Sequence, residues 1–265
     1  MEVLSPRQQS ILNRVVDTHI ETAHPVGSRS LTAIYTELYC DSYSSATVRH
    51  EMEVLETKGY LTHPHTSAGR VPTDLGYRYY VDHSLRQERL GKDLLQSAAR
   101  GLAEVREELE LVAERVSSLL AGLSEEVSLV LLPSPLCRIL KKGERFKVFV
   151  QGSSQLLAKP EFQEVKKIRP LLQAFEETMD WADRFAGSIP ETGVSVTIGH
   201  ENQLEVFREC SMVTTRMDLG GGRIAALAIV GPRRMRYSRL VALIREMGQL
   251  MAGVCASSEA GLFND

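Results

Sequence analysis

The stretch that decides the fold is SSATVRHEMEVLETKGYLTHPHTSAGRVPTDLGYRYY, residues 44–80. Ser44 is suited to cap a helix, because its hydroxyl can accept from an otherwise unpaired amide in the first turn. Val48, Met52 and Leu55 then fall within about 60° of arc at 3.6 residues per turn, so they face a core. The opposite side carries Ala46 and His50, flanked by Ser45, Thr47 and Arg49. Small and hydrogen-bonding groups at a helix N-terminal end suit a helix whose first turns approach base edges and phosphates. An ordinary amphipathic surface helix would share the apolar stripe, so the residues that follow must decide.

Those residues change chemistry at once. Gly59 can end the helix. Tyr60-Leu61 is a short apolar pair, HPHTSAGR follows, and Val71-Pro72-Thr73 closes the segment. Pro64, Gly69 and Pro72 bar a helix there. Two short edge strands around a Gly-containing tip make a wing. From Thr57 to Thr73 the sequence has no Asp or Glu but has Lys58, His63, His65 and Arg70, so the patch can lie against phosphate without repulsion. Upstream, Ser5-Pro6-Arg7-Gln8 has the form of a capping box with proline at the first helical position. Ile11, Leu12, Val15, Val16 and Ile20 give a first helix its buried stripe. Pro25-Val26-Gly27 breaks that helix, Ser28 caps a second one carrying Leu31, Ile34 and Leu38, and Asp41-Ser42-Tyr43 turns into the third. Three helices and a wing within about 80 residues predict a winged helix-turn-helix.

The rest of the chain reads as a different kind of domain. Leu94, Leu95, Ala98, Leu102, Val105, Leu109, Val112, Val116 and Leu119 recur at threes and fours, which predicts a long helical stretch, packed or domain-connecting, with an intermolecular coiled coil as the alternative. Val127–Leu132, Phe146–Val150, Val194–Ile198, Cys210–Thr215 and Ile224–Val230 are β-branched-rich and read as strands. Residues 161–186 and 238–254 read as helices. Gly220-Gly221-Gly222 reads as a hairpin turn and has no following Gly-Lys-Ser/Thr, so it is no phosphate loop. Strands flanked by helices predict an α+β, multidomain protein.

Charge and composition bound the function. The 265 residues carry a formal net charge of −3. Residues 1–85 hold seven Lys or Arg against ten Asp or Glu, again −3. The DNA-binding case therefore rests on local placement, and it predicts modest non-specific affinity and a need for dimerisation. His50, His63 and His65 sit on the proposed DNA face, where protonation would add positive charge. His63 and His65 could also start a metal site, but no Cys or carboxylate follows at ligand spacing, so no metal is expected. Cys40, Cys137, Cys210 and Cys255 are widely spaced and read as thiols in a reducing compartment. With no signal peptide and no apolar run able to span a bilayer, a cytoplasmic protein is expected. No hydrolase triad context, metalloprotease motif or Walker motif occurs, so no enzyme and no cofactor are expected.

Several segments resemble one known family. SRSL at 28–31, SSATVRHEMEVLETKGYL at 44–61, PHTSAGRVPT at 64–73 and GYRYYVD at 76–82 are similar to the N-terminal domain of the heat-inducible transcription repressor HrcA family. PEF at 160–162, VTIGHE at 196–201, ECSMV at 209–213 and IVGPRRMRYSR at 229–239 resemble its C-terminal domain. The resemblance implies a winged-helix DNA-binding domain over 1–83, a helical linker over 84–124, and a GAF-like regulatory and dimerisation domain over 125–265. It implies repression of chaperone operons through a double-stranded inverted-repeat operator of CIRCE type. It further implies a homodimer whose activity is modulated by the GroEL chaperonin. The DNA-contacting candidates are Ser28 and Arg29 on the second helix, Ser44, Ser45, Thr47, Arg49 and His50 on the third, and His65, Thr66, Ser67 and Arg70 on the wing. Two departures stand out. The link SPLCRILKKGE after Pro133 is short where the family carries an inserted domain that helps dimerisation. His50 replaces the usual Asn and cannot form the bidentate amide pair with adenine. The basic cluster Arg233, Arg234, Arg236 and Arg239 reads as a solvated loop, with a chaperonin contact or an acidic helix of the same chain as alternatives. A second functional reading is a winged-helix regulator gated by a small molecule held in the GAF-like domain, which an apolar pocket with convergent polar groups would support.

Overall fold

A computed structural model describes residues 4–39, 44–64, 69–105, 108–134, 146–178, 181–219 and 223–261. The chain forms two compact units: residues 1–86 together with Arg233–Arg236, and residues 87–232 together with 237–265. The expected turns at 41–43 and 220–222, Cys40, Cys137 and most of the short link lie outside the described residues.

In the first unit, α1 (Pro6–Thr22), α2 (Ser28–Tyr39) and α3 (Ser45–Thr57) precede two two-residue strands and α4 (Asp74–Ser84). The Ser5–Gln8 capping box forms as the sequence dictates, with each side chain bonded to the other's backbone. Ile11, Leu12, Val15 and Val16 are fully buried against Val48, Met52 and Leu55 of α3. Ser28 is the first residue of α2 and not its cap, because the Leu31 amide already donates to Gly27 at 3.2 Å. α1 and α4 are joined by a polar seam: Ser84 Oγ donates to Asn13, Tyr80 Oη to Asp17 at 2.7 Å, and His19 Nδ1 lies 2.5 Å from Tyr77 Oη. Burial pushes the Tyr79 hydroxyl above its ordinary pKa, with neighbouring Tyr60 adding to the rise. In the basic cluster, Arg233 Nε lies 3.1 Å from Asp74 Oδ1, so this arginine is ion-paired rather than solvated alone.

The second unit is a five-stranded antiparallel sheet between helical layers. Its strands are β3 (Val127–Pro133), β4 (Phe146–Gln151), β5 (Val194–Ile198), β6 (Cys210–Asp218) and β7 (Ile224–Pro232), ordered β4-β3-β7-β6-β5. The expected strands are all present. The expected linker is not a separate element. It consists of α5 (Lys92–Ala103) and α6 (Leu109–Ser124), and both belong to the second unit. α6 buries Val112, Ala113, Val116, Ser117, Leu120 and Ala121, which is why its apolar stripe recurs as it does. The helix expected over 161–186 is interrupted, giving α7 (Val165–Glu176) and α8 (Ala182–Ser188). Trp181 folds back over the end of α7, its indole donating to the Ala174 carbonyl at 2.7 Å. The final helix, α9 (Tyr237–Gly261), runs longer than expected. α7 and α8 cover one face of the sheet, packing Phe175, Phe185 and Phe207 with Leu129, Met212 and Ala228.

Candidate nucleic-acid interface

The third helix begins as its sequence requires. Ser44 Oγ accepts from the Thr47 amide at 3.1 Å and also lies 2.9 Å from the Thr47 hydroxyl. It ends in a Schellman motif: Gly59 N–H donates to Glu56 and Tyr60 N–H to Leu55, with Gly59 at φ +79°. Only glycine takes that backbone cheaply. The chain then enters β1 (Leu61–Thr62), which pairs antiparallel with β2 (Val71–Pro72) to form the wing's base.

The wing is docked onto the turn between α1 and α2. Val26 and Arg70 exchange two backbone hydrogen bonds, both 2.9 Å. Gly69 is required by this approach, since a Cβ there would sit 2.5 Å from the Val26 carbonyl carbon and oxygen. As a result, α2, α3 and the wing base share one open recess of about 770 Å³. Of the candidate residues it brings together Ser28, Arg29, Ser45, Arg49, His50 and Arg70. Ser44 and Thr47 lie on the same helix end but do not line it. His65, Thr66 and Ser67 lie outside the described residues.

Arg49 is an exposed cation of this recess, as is Arg29. Arg49's side chain is 73% exposed, and its ion-pair partner, Glu53, is 4.0 Å away. Such an exposed pair is worth no more than about 1 kcal/mol and yields readily to phosphate or a base edge. The first turns of α2 and α3 open on the same recess, so their partial positive ends also favour an anion.

Arg70 is placed differently from expectation. It is 8% exposed, and its Nε donates to Glu56 at 3.0 Å. It fixes the wing to α3 instead of projecting from the wing. His63 Nε2 lies 3.4 Å from the same Glu56 carboxylate. The acid-free stretch from Thr57 to Thr73 is therefore not an acid-free surface, because Glu53 and Glu56 reach it from α3. Glu51, a third acid on this helix, accepts from Gln8 at 3.2 Å and lies 3.5 Å from Arg7. The sequence reading missed Glu56 as the organiser of the wing. Its one signal was position, an acid just ahead of the helix-ending glycine and before a returning basic segment.

Comparison with known proteins decides the family. A family model described as the HrcA protein C-terminal domain matches residues 102–241, more than half of the chain. The chain belongs to the HrcA family. A heat-inducible transcription repressor HrcA from Brevibacillus brevis is 27% identical, with 96% of this chain and 99% of the relative covered. That from Shouchella clausii is 28% identical, covering 93% and 97%. The Brevibacillus alignment runs over 343 residues, longer than this 265-residue chain, so HrcA relatives carry sequence that this member lacks. A crystal structure described as that of a hypothetical protein covers 97% of this chain and 100% of its own, with a TM-score of 0.76 at 21% identity. At that identity the likeness speaks for the fold, which is the α+β, multidomain HrcA arrangement.

Proposed function

We propose that this HrcA member is a DNA-binding transcriptional repressor of heat-shock operons, without enzymatic activity and working in the cytoplasm. The observation that carries the reading is the recess where Ser28 and Arg29 of α2 meet Ser45, Arg49 and His50 of α3. An exposed arginine beside two helix N-terminal ends suits groove entry by α3, with α2 set against the backbone. Relatives of nearly full-length coverage are called heat-inducible repressors, which supports the same role here.

The finer assignment follows the family resemblance. The operator is an inverted repeat of CIRCE type, bound by a homodimer, and the GroEL chaperonin modulates the activity. The acidic balance of residues 1–85 favours a dimer, since one copy offers few phosphate contacts. On the DNA face Ser44, Ser45, Thr47, Arg49 and His50 read α3's groove, and Ser28 and Arg29 position α2. His65, Thr66 and Ser67 contact the backbone from the wing, while Arg70 holds the wing in place. Among the described residues, no helix is long and apolar enough to cross a membrane.

Footprinting of chaperone-operon promoter DNA with the full chain, with and without chaperonin, tests the proposal. Symmetric protection of an inverted repeat, strengthened by chaperonin, is expected. Protection of neither condition's DNA would overturn it.

A further inference from the structure

The second unit holds a cavity of about 210 Å³ that DNA binding does not use. It lies under α8, on the sheet face that α7 and α8 cover. Elsewhere that face is mostly apolar: β3 contributes Val127, Leu129 and Leu131, β7 contributes Ala226, Ala228 and Val230, and the one arginine of β6 on it, Arg216, donates to the Ala186 carbonyl at 2.6 Å. At the β5 edge the pattern changes. Ser195 and Thr214 are cross-strand partners, as are Thr197 and Met212. Alternation therefore puts three hydroxyl residues on a face that is mostly apolar elsewhere. A hydroxyl at such a position costs stability unless something meets it. Ser195, Thr197 and Thr214 all line the cavity, and its floor is Phe185, Ile189, Phe207 and Met212, each buried.

The loop closing the cavity is held by its own chain. Asn202 is 5% exposed, and its Nδ2 lies 2.9 Å from the Gly199 carbonyl and 3.0 Å from those of Phe207 and Cys210. Its Oδ1 accepts from Thr197 Oγ1 at 2.7 Å, and Glu201 accepts from the Ile198 amide at 2.9 Å. Leu204 and Phe207 are thereby set against the cavity before anything enters. A preformed site spares a ligand the cost of ordering the protein.

We infer that this cavity binds a small uncharged amphiphile, an apolar ring or branched body on the aromatic floor with a hydroxyl or amide head on the Ser195–Thr197–Thr214 wall. Size sets the first limit, since the volume of about 210 Å³ is below the range typical of drug-sized ligands. Charge sets the second. Floor and hydroxyl wall carry no ionisable group, and Arg184 and Glu201 stand at the exposed rim. An ionised head on that wall would shed its hydration, and the cation next along β6 on that face, Arg216, is already turned to the Ala186 carbonyl at 2.6 Å. The inference goes beyond the repressor reading and does not depend on it, because binding is read on the second unit's own amides.

The test titrates the 15N-labelled full chain with phenol, benzamide and benzoate at one neutral pH. Phenol and benzamide are expected to shift the amides of residues 195–197, 203–207 and 212–214 saturably, with benzoate at least tenfold weaker. Thr214→Val, near-isosteric, should weaken phenol binding about fivefold, the worth of one net hydrogen bond. Ser195→Leu should fill the space and abolish the shifts while the other amides keep their positions. Absence of saturable shifts with both neutral probes would overturn the site. Shifts that survive Ser195→Leu would overturn its location, and benzoate binding as tightly as phenol would overturn the uncharged class.

Discussion

The two halves of α3 meet different neighbours. The first half points Ser45, Arg49 and His50 into an open recess, and Arg49 has only a distant surface partner. The second half is tied down: Glu56 takes Arg70 and His63, and Gly59 turns the chain into the wing. Glu51, between them, is held by α1. Acids on a DNA-facing helix look wrong in a charge count. Their contacts show that all three pair with basic groups of their own unit, Glu53 only at 4.0 Å from exposed Arg49, leaving the helix's first turns free to meet DNA.

That division is broken most severely at Gly69. Gly69→Ala would drive a Cβ to 2.5 Å from the Val26 backbone, which has no side chain to swing away. A loss of about 3 kcal/mol or more is expected, the scale of severe overpacking. Hydrogen exchange of the α1–α4 amides measures it, and unchanged protection would mean that the wing does not dock on the α1–α2 turn. Arg49→Ala should act on the other half alone. Operator binding should weaken by about 1–3 kcal/mol, while folding stability stays within about 0.5 kcal/mol. Gel-shift titrations on operator and random DNA separate the possibilities, since equal loss on both would confine Arg49 to phosphate.

What the sequence made legible follows the range of the interactions. The α3 stripe, its Ser44 cap and the Ser5–Gln8 box are local, set by spacings of three or four residues, and the structure has them all. The strands of the second unit were legible for the same reason. The Glu56–Arg70 pair spans 14 residues through a wing whose return path no spacing reveals. α5 and α6 read as a linker because their stripe shows that a partner exists but not which one. The hydroxyl wall was hidden for a similar reason: Ser195, Thr197 and Thr214 look like ordinary strand residues until the register puts them on one face.

Glu56→Ala sharpens the comparison at its tied end. It strands the Arg70 guanidinium, whose side chain is 10% exposed, but Glu56 itself is 32% exposed, so water tempers the loss. A fall of about 1–2 kcal/mol is expected, between the values for surface pairs and buried ones. Urea unfolding of the first unit measures it, and Glu56→Gln should recover part by keeping one acceptor. No change in either variant would show that the Val26–Arg70 backbone bonds hold the wing unaided.

Ser44→Ala is the smallest expected change and tests the free end. The serine oxygen satisfies the Thr47 amide in the first turn at 3.1 Å. Removing it should cost about 1 kcal/mol, the usual worth of an N-cap, with faster exchange confined to the first turn of α3. Operator affinity should fall with it, because Ser45 and Arg49 reach the recess only from a formed first turn. Ser44→Asp separates the two effects. It restores a cap acceptor and interacts favourably with the helix's positive end, yet sets a negative charge beside the DNA backbone. Stability should therefore return while operator binding worsens further. If stability and affinity recovered together, Ser44 would lie away from the phosphates, and the DNA-facing surface would begin at Ser45.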